Sequence, residues 1–396
     1  GISRLPSRHI ASNFAIDSRL ISIKIPKAFT MIRWLLCAIV LLGLTSALRV
    51  MTFNVWNSGR HVKDGLSKIA SQIRSINPDV VALQEIREME HIGEITTLLG
   101  AGWSGSIHCK LDTAIITRHT IVPGSYAQVD RGMHVRIQIA GGNRQVSVWS
   151  MHLAYKSYGP YAAQNKQVTS EAQILAGEMP TTTPSRVQNI VQLLLNQEFI
   201  SQIARSEVVP VIVAGDFNVP SDEDWIEENR DAHGGWVIKW PTTQLLRNTS
   251  GMRDSYRQIN SDPISDPGIT WSVFKYLVEW DYTVPDPEDR IDFIFYRGSI
   301  KPTSSFTYSG SEQLRPMPEH TTNSWPSDHY SVVTDFEDIP FYEAPSQPMK
   351  RVDPHFISKH CDIIFEKCTS SIIRAYDEGN KVDRRKRHRS HAKGRA

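Results

Sequence analysis

Residues 208–225, VVPVIVAGDFNVPSDEDW, constrain this chain most. Residues 208–214 are apolar, with a proline able to open a strand, and a short run of this kind reads as a buried strand. The chain then turns polar at once, placing Asp216 and Asn218 two residues apart. A buried strand that ends in a carboxylate and an amide delivers chemistry to the edge of a sheet.

Other strand-type runs end in the same manner. LRVMTFNVW (48–56) ends around Asn54, PDVVALQEI (78–86) at Glu85 and QVSVWSMHL (145–153) at His152. IDFIFY (291–296) carries Asp292, and Asp328-His329 stands at the start of HYSVVTDF (329–336). Runs 113–117 and 134–139 are further strands. Helical spacing predicts helices over 62–76, stopped by Asn77-Pro78, over 87–99, and over 185–204 with Ser185 as N-cap. Residues 154–184 read as a long loop, and 219–290 as irregular chain with a short helix near 222–230.

Each polar residue alone has an ordinary explanation. An Asp after a strand is usually a turn residue or a cap, Asn54 can cap a turn, and His152 can be a satisfied core histidine. Together they are more informative, because strand ends gathered at one sheet edge converge on one cleft. Glu85 and the aspartates are hard oxygen donors suited to Mg2+ or Mn2+, with Ca2+ as a further choice. Histidines and asparagine amides suit a phosphate. The combination points to metal-assisted attack on phosphorus.

Taken in order, FNVW, VVALQEI, MHL, VIVAGDFN, DRIDFIF and PSDHYSVV resemble the endonuclease/exonuclease/phosphatase superfamily, over about residues 48–338. The resemblance implies an α/β fold, a four-layer αββα sandwich of two packed mixed β-sheets. It implies that Glu85 binds a catalytic divalent metal, with Asn54 beside it and Asp328 near it. Asp216 would orient or deprotonate the attacking water, Asn218 would hold a phosphate oxygen, and His152 would donate to the phosphate. His329 would contact the phosphate and assist proton transfer, oriented by Asp292. Some nucleases of the superfamily carry Asp two residues after the first Asn; here that position is Trp56, which favours one main metal over two.

The resemblance implies the bond, not the molecule. Between GDFN and DRIDF lie Trp225, Trp236, Trp240, Trp271 and Trp280. At least half of these are expected in the core, while Trp271, with Tyr155, Tyr158 and Tyr161, is a candidate cleft wall that stacks on a base, a choline group or a sugar. The substrate is a phosphate ester: a lipid head group or small metabolite in the first reading, nucleic acid in the second. A binding protein that has lost turnover is the third.

Charge bears on that order. The chain's net +2 divides into +4 over residues 1–30, +1 from Arg33, +7 over 381–396 and −10 over 48–380. An acidic body argues against a protein that coats nucleic acid, although a bound metal supplies positive charge locally. Residues 31–47, MIRWLLCAIVLLGLTSA, have the three parts of a secretory signal, with Met31 as the expected start, and imply an extracellular protein with no later membrane span. Cleavage leaves Cys109, Cys361 and Cys368. The last two lie on an expected helix (355–376), where seven residues span roughly 10 Å, beyond the ~7 Å a disulfide tolerates. Either the helix breaks there or they are not bonded. Asn248-Thr249-Ser250 is a glycosylation sequon. The expected organisation is an upstream extension and signal (1–47), the catalytic domain (48–338), a linker and C-terminal helix (339–380) and a basic tail (381–396) that carries the convertase-like run 384–387.

Overall fold

A computed structural model describes residues 47–139, 142–178, 185–274 and 284–342. The expected signal, the C-terminal helix, the basic tail, Trp280, Cys361 and Cys368 fall outside them. Cys109 is exposed with a free thiol. Among the described residues no helix is long and apolar enough to cross a membrane.

Among the described residues, thirteen strands form two sheets. They are β1 (Leu48–Asn54), β2 (Val80–Ile86), β3 (Ser104–Ile107), β4 (Asp112–Thr117), β5 (Thr120–Ile121), β6 (Ala127–Val129), β7 (Gly132–Ile139), β8 (Arg144–His152), β9 (Val211–Asp216), β10 (Arg253–Asp254), β11 (Asp292–Arg297), β12 (Lys301–Tyr308) and β13 (Ser331–Glu337). One sheet has the order β12-β13-β1-β2-β4-β3, and the other β10-β11-β9-β8-β7-β5, with β6 on β7. Each sheet has one parallel pair at its centre, β1 with β2 and β8 with β9, and is otherwise antiparallel. A parallel pair needs a crossover. The helix Gly65–Ile76 supplies the first, and the helices Arg186–Leu195 and Gln197–Ala204 lie in the second.

Strand alternation sorts side chains to two faces. Val50, Val80, Ala82 and Ile115 of one sheet meet Val135, Val148, Ile212 and Ile294 of the other in a core between the sheets. Met51, Phe53, Val81 and Leu83 turn outward onto helices Gly65–Ile76 and Met89–Leu99 through Ile69, Ile73, Ile92 and Ile95. Trp149, Met151, Val211 and Val213 turn outward onto Ile190, Leu193, Phe199 and Leu246. The result is the expected four-layer αββα sandwich.

Some local expectations need correction. The expected single helix over 185–204 is two, because Asn196 takes an extended conformation (φ −69°, ψ 126°) and its Oδ1 accepts from the amides of Glu198 and Phe199. Ser185 does cap the first, accepting from Gln188 N. The expected loop over 154–184 holds short helices at Gly159–Gln164 and Glu171–Ile174. The region 219–290 contains the helices Pro241–Ser250 and Ser255–Ile259. Its short turn of helix lies at Glu227–His233, later than expected. Asn248 is exposed on the last turns of the Pro241–Ser250 helix. Past the expected domain edge, Ile339 is still buried in the inter-sheet core.

Candidate active site

Sheet register brings three of the predicted residues side by side. His152 at the end of β8 pairs with Asp216 at the end of β9, and Asp216 pairs with Asp292 at the start of β11. β11 is antiparallel to β9, so its first residue reaches the same edge as the last residue of its neighbour. In the other sheet, Asn54 ends β1 opposite Gln84. Glu85 is the extra residue of a β-bulge: Gln84 pairs with Thr113 and Ile86 with Asp112, while Glu85 takes φ 65°. A bulge re-aims a side chain. Gln84 stays between the sheets, donating to Ser150 Oγ, and Glu85 faces the cleft.

The loop before β13 is tied to the end of β1. Ser327 Oγ donates to Asn54 O (2.6 Å) and accepts from His329 N (3.0 Å). His329 Nδ1 then lies 2.9 Å from Asp292 Oδ2. Asp216 stands at the centre. Its Oδ1 accepts from Asn218 N (2.8 Å) and its Oδ2 from Asn54 Nδ2 (3.0 Å). The Nε2 atoms of His152 and His329 lie 3.5 and 3.8 Å from the same Oδ2. The Nδ2 of Asn218 donates to Leu153 O (3.1 Å) and more weakly to Asp216 (3.4 Å). Asn54 spans the carboxylates, its Nδ2 also reaching Glu85 Oε1 (3.3 Å) while Oδ1 accepts from Trp56 N.

Sequence reasoning missed several participants. Asp112 Oδ2 lies 2.8 Å from His152 Nδ1, and Asp112 Oδ1 accepts from Arg87 (3.2 Å). Arg87 also donates to Glu85 Oε2, which Asn57 N holds from the other side (2.8 Å). Asp112 immediately precedes the expected strand at 113–117, and because β4 is antiparallel to β2 its first residue reaches the cleft edge. An acid at the start of a strand was the available signal.

The electrostatics follow from burial and neighbours. Burial works against charge on His152, but Asp112, Asp216 and Glu85 outweigh it and push the imidazole up to about 9. Burial likewise opposes charge on His329, and Asp292, Asp216 and Asp328 push it up to about 10. Both rings are therefore imidazolium at neutral pH, donating through Nδ1 to a carboxylate and presenting Nε2–H to the cleft. Burial also raises Glu85, but His152, His329 and Arg87 bring it below the usual carboxylate range. Asp328 is different. Burial and the charge of Glu85 push it up to about 7, and its Oδ1 is buried without a partner among the described residues while Oδ2 accepts from Trp271 Nε1 (3.2 Å).

That orphaned oxygen beside a second carboxylate fits a divalent cation, whose charge would remove the repulsion. Ligand atoms of Asp216, Asp292 and His329 also lie within 4.8 Å of one another. In that trio His329 Nδ1 is already hydrogen bonded to Asp292 Oδ2, while Asp292 Oδ1, like Asp328 Oδ1, is buried with no partner among the described residues. The site opens into a cleft of about 770 Å³ lined also by Trp56, Tyr155, Tyr158, Tyr161 and Trp271. Tyr158, Tyr161 and Trp271 meet edge to face, whereas Trp225 and Trp240 are core.

The model of the Endonuclease/Exonuclease/phosphatase family matches residues 51–329. "Uncharacterized protein F14F9.5" of Caenorhabditis elegans is 43% identical over 295 residues, covering 74% of this chain and 92% of that protein. Among solved structures, the human Nocturnin catalytic domain with bound sulfate is 17% identical, covers 73% of this chain and 94% of its own, and gives a TM-score of 0.46. An endonuclease/exonuclease/phosphatase family protein from Bacteroides thetaiotaomicron is 15% identical, covering 77% and 99%, with a TM-score of 0.47. The family model takes in both halves of the cleft, from the strand that ends at Asn54 to His329, so this chain belongs to the Endonuclease/Exonuclease/phosphatase family, whose members are phosphoester hydrolases.

Proposed function

We propose that the chain is a secreted hydrolase of the phosphodiesterase type that uses a divalent cation, Mg2+ in the first instance, to cleave a P–O bond by attack of water. The observation that carries this reading is the placement of two charged imidazoles, His152 and His329, around the one carboxylate of Asp216. A cation held by Glu85 and Asp328, beside Asn54, would offset the negative charge of the phosphate and of the five-coordinate transition state.

The chain's own residues supply the rest. Nε2–H of His152 donates to a non-bridging phosphate oxygen. Asn218 adds a second donor by exchanging its longer bond, the one to Asp216, for a phosphate oxygen. Asp216 orients the attacking water and accepts its proton. His329, held by Asp292 with Nε2–H toward the cleft, protonates the leaving oxygen. Trp271, which donates to Asp328, closes one wall against solvent.

Hydrolysis of bis(p-nitrophenyl) phosphate tests the reading. Turnover should require Mg2+ or Mn2+, stop with chelator, and fall by about 10²–10⁴-fold in Asp216→Ala and in His329→Ala. Turnover that persists in Asp216→Ala sinks it. Supercoiled DNA and sphingomyelin are parallel arms, and nicking of DNA at low enzyme concentration with lipid untouched turns the reading to a nuclease. Expression of the full chain in a secretory host tests export: the medium should hold a protein that begins near Leu48.

A further inference from the structure

The segment that follows β8 carries Tyr155, Lys156, Ser157 and Tyr158 into the wall of the cleft. It belongs to no strand or helix, yet its backbone is fixed from beneath. Arg186, fully buried, donates through Nη2 to Tyr155 O (3.2 Å) and Lys156 O (3.1 Å). Its Nη1 donates to Gly177 O and to Glu178 Oε1, and Glu178 Oε2 accepts from Thr242. Ala154 N donates to Asn189 Oδ1. Gly177 has no side chain where a Cβ would meet Ser157 O at 1.9 Å, and a Cβ on Gly159 would meet Ile174 O at 2.2 Å. A guanidinium that bonds two successive carbonyls, together with two such backbone approaches, gives this loop one shape.

Of the side chains it presents, Tyr158 donates to Asp289 Oδ2 (3.0 Å), while Tyr155 and Lys156 stand in solvent. Tyr155 is 60% exposed, and Lys156 is exposed and makes no ion pair among the described residues. Arg131, on the turn between β6 and β7, lines the same cleft, and its carbonyl accepts from His152 N (3.0 Å). The carboxylate paired with it, Asp130, lies 3.9 Å away and is already bonded to Lys110 at 2.9 Å. Arg87, by contrast, is neutralised by Glu85 and Asp112. Arg131, loosely paired, and Lys156, without an ion pair among the described residues, therefore line the cleft that holds His152, in a domain whose body is acidic. The donors already assigned to the scissile phosphate are His152, Asn218 and His329, which leaves Arg131 and Lys156 for another anion.

We propose that Arg131 and Lys156 form a second phosphate subsite beside His152, on a loop held rigid by Arg186, for a substrate that bears another phosphate group near the scissile ester. The proposal rests on the hydrolase reading above. An Arg fork and a Lys point charge together match the three oxygens and double charge of a terminal phosphate.

The test is competition against bis(p-nitrophenyl) phosphate hydrolysis, with Mg2+ in excess. Thymidine 3′,5′-bisphosphate is compared with thymidine 5′-monophosphate and thymidine 3′-monophosphate. The bisphosphate should inhibit about tenfold better than the stronger monophosphate, as expected for one added charge-assisted contact. That advantage should shrink in Lys156→Met and in Arg131→Met, vanish in the double variant, and weaken as salt rises. Equal inhibition by bisphosphate and monophosphate in the unmodified protein, or an advantage that survives the double variant, overturns the subsite. Absence of any hydrolysis defeats the hydrolase reading instead. Calorimetric titration with the same three nucleotides then decides the subsite by the same ratio.

Discussion

Nδ1 of His152 lies 2.8 Å from Oδ2 of Asp112, and the contact joins the two sheets, since His152 ends β8 in one and Asp112 begins β4 in the other. The cleft edge is thus tied across the sandwich by a buried imidazole and a half-buried carboxylate, and the charge of that imidazole depends on a residue from the opposite layer.

Replacing Asp112 with Asn should keep the shape and remove the charge. His152 would lose the largest influence that holds it near 9 and move toward its ordinary value near 6.5. The expected results are a kcat lower by about 10²-fold at pH 8 and an alkaline limb of the pH–rate profile displaced to lower pH. A profile measured from pH 6 to 10 decides it, and a limb that does not move contradicts the assigned role.

Removing the cation site should be visible without catalysis. Mg2+ at about 100 times its dissociation constant adds roughly 2.7 kcal/mol to the stability of a protein that binds it only when folded. Thermal melts should show this gain in the unmodified chain, its reversal by chelator, and its loss in Glu85→Gln and Asp328→Asn. A full response in Asp328→Asn would place the ion elsewhere.

His134 should make the fold acid-sensitive. Its Nδ1 donates to Ser125 O (2.9 Å), and its Nε2 accepts from Gln202 (3.0 Å), whose own oxygen is held by Trp149 Nε1. That network accommodates only the neutral ring, and burial lowers it to about 3. Unfolded chain, with an ordinary histidine near 6.5, binds the proton more readily. Stability contributed by the neutral ring is therefore full above pH 6.5 and is lost progressively toward pH 3. His134→Gln should be less stable at pH 7 yet lose less between pH 6.5 and 4.5. Urea midpoints at those pH values provide the comparison, and equal losses would exclude the assignment.

Arg186→Met should cost about 3–5 kcal/mol, because Glu178 would be left charged and buried. Adding Glu178→Gln should recover a large part of that loss. Denaturant unfolding of the two single variants and the double variant measures the coupling, and additive effects would show that the pair is not a unit.

The strand ends at the cleft were legible because a buried strand and a polar terminus are both local. Asn54, His152, Asp216 and Asp292 all occupy the strand edge expected of them. The aim of Glu85 was not legible, since the bulge that turns it depends on pairing with β4, a partner distant in sequence. Nor was Asp112, whose relevance comes from an antiparallel neighbour. The helix Pro241–Ser250 carries a Pro at its start and Gly251 (φ 68°) at its end, but its Thr and Asn content masked it. β12 lacks a clear apolar alternation, and pairing with β13 is what makes it a strand.

Alone, the sequence determined which segments are buried strands and which functional groups stand at their ends, because hydrophobic periodicity and chain direction act within a few residues. Tertiary structure decided which of those groups meet, and in what charge state. Register across β8, β9 and β11 sets His152, Asp216 and Asp292 in a row, and packing of the second sheet brings Asp112 to His152. Burial at that seam opposes charge on the two rings, and the imidazoles stay charged because Asp112, Asp216 and Asp292 are brought beside them.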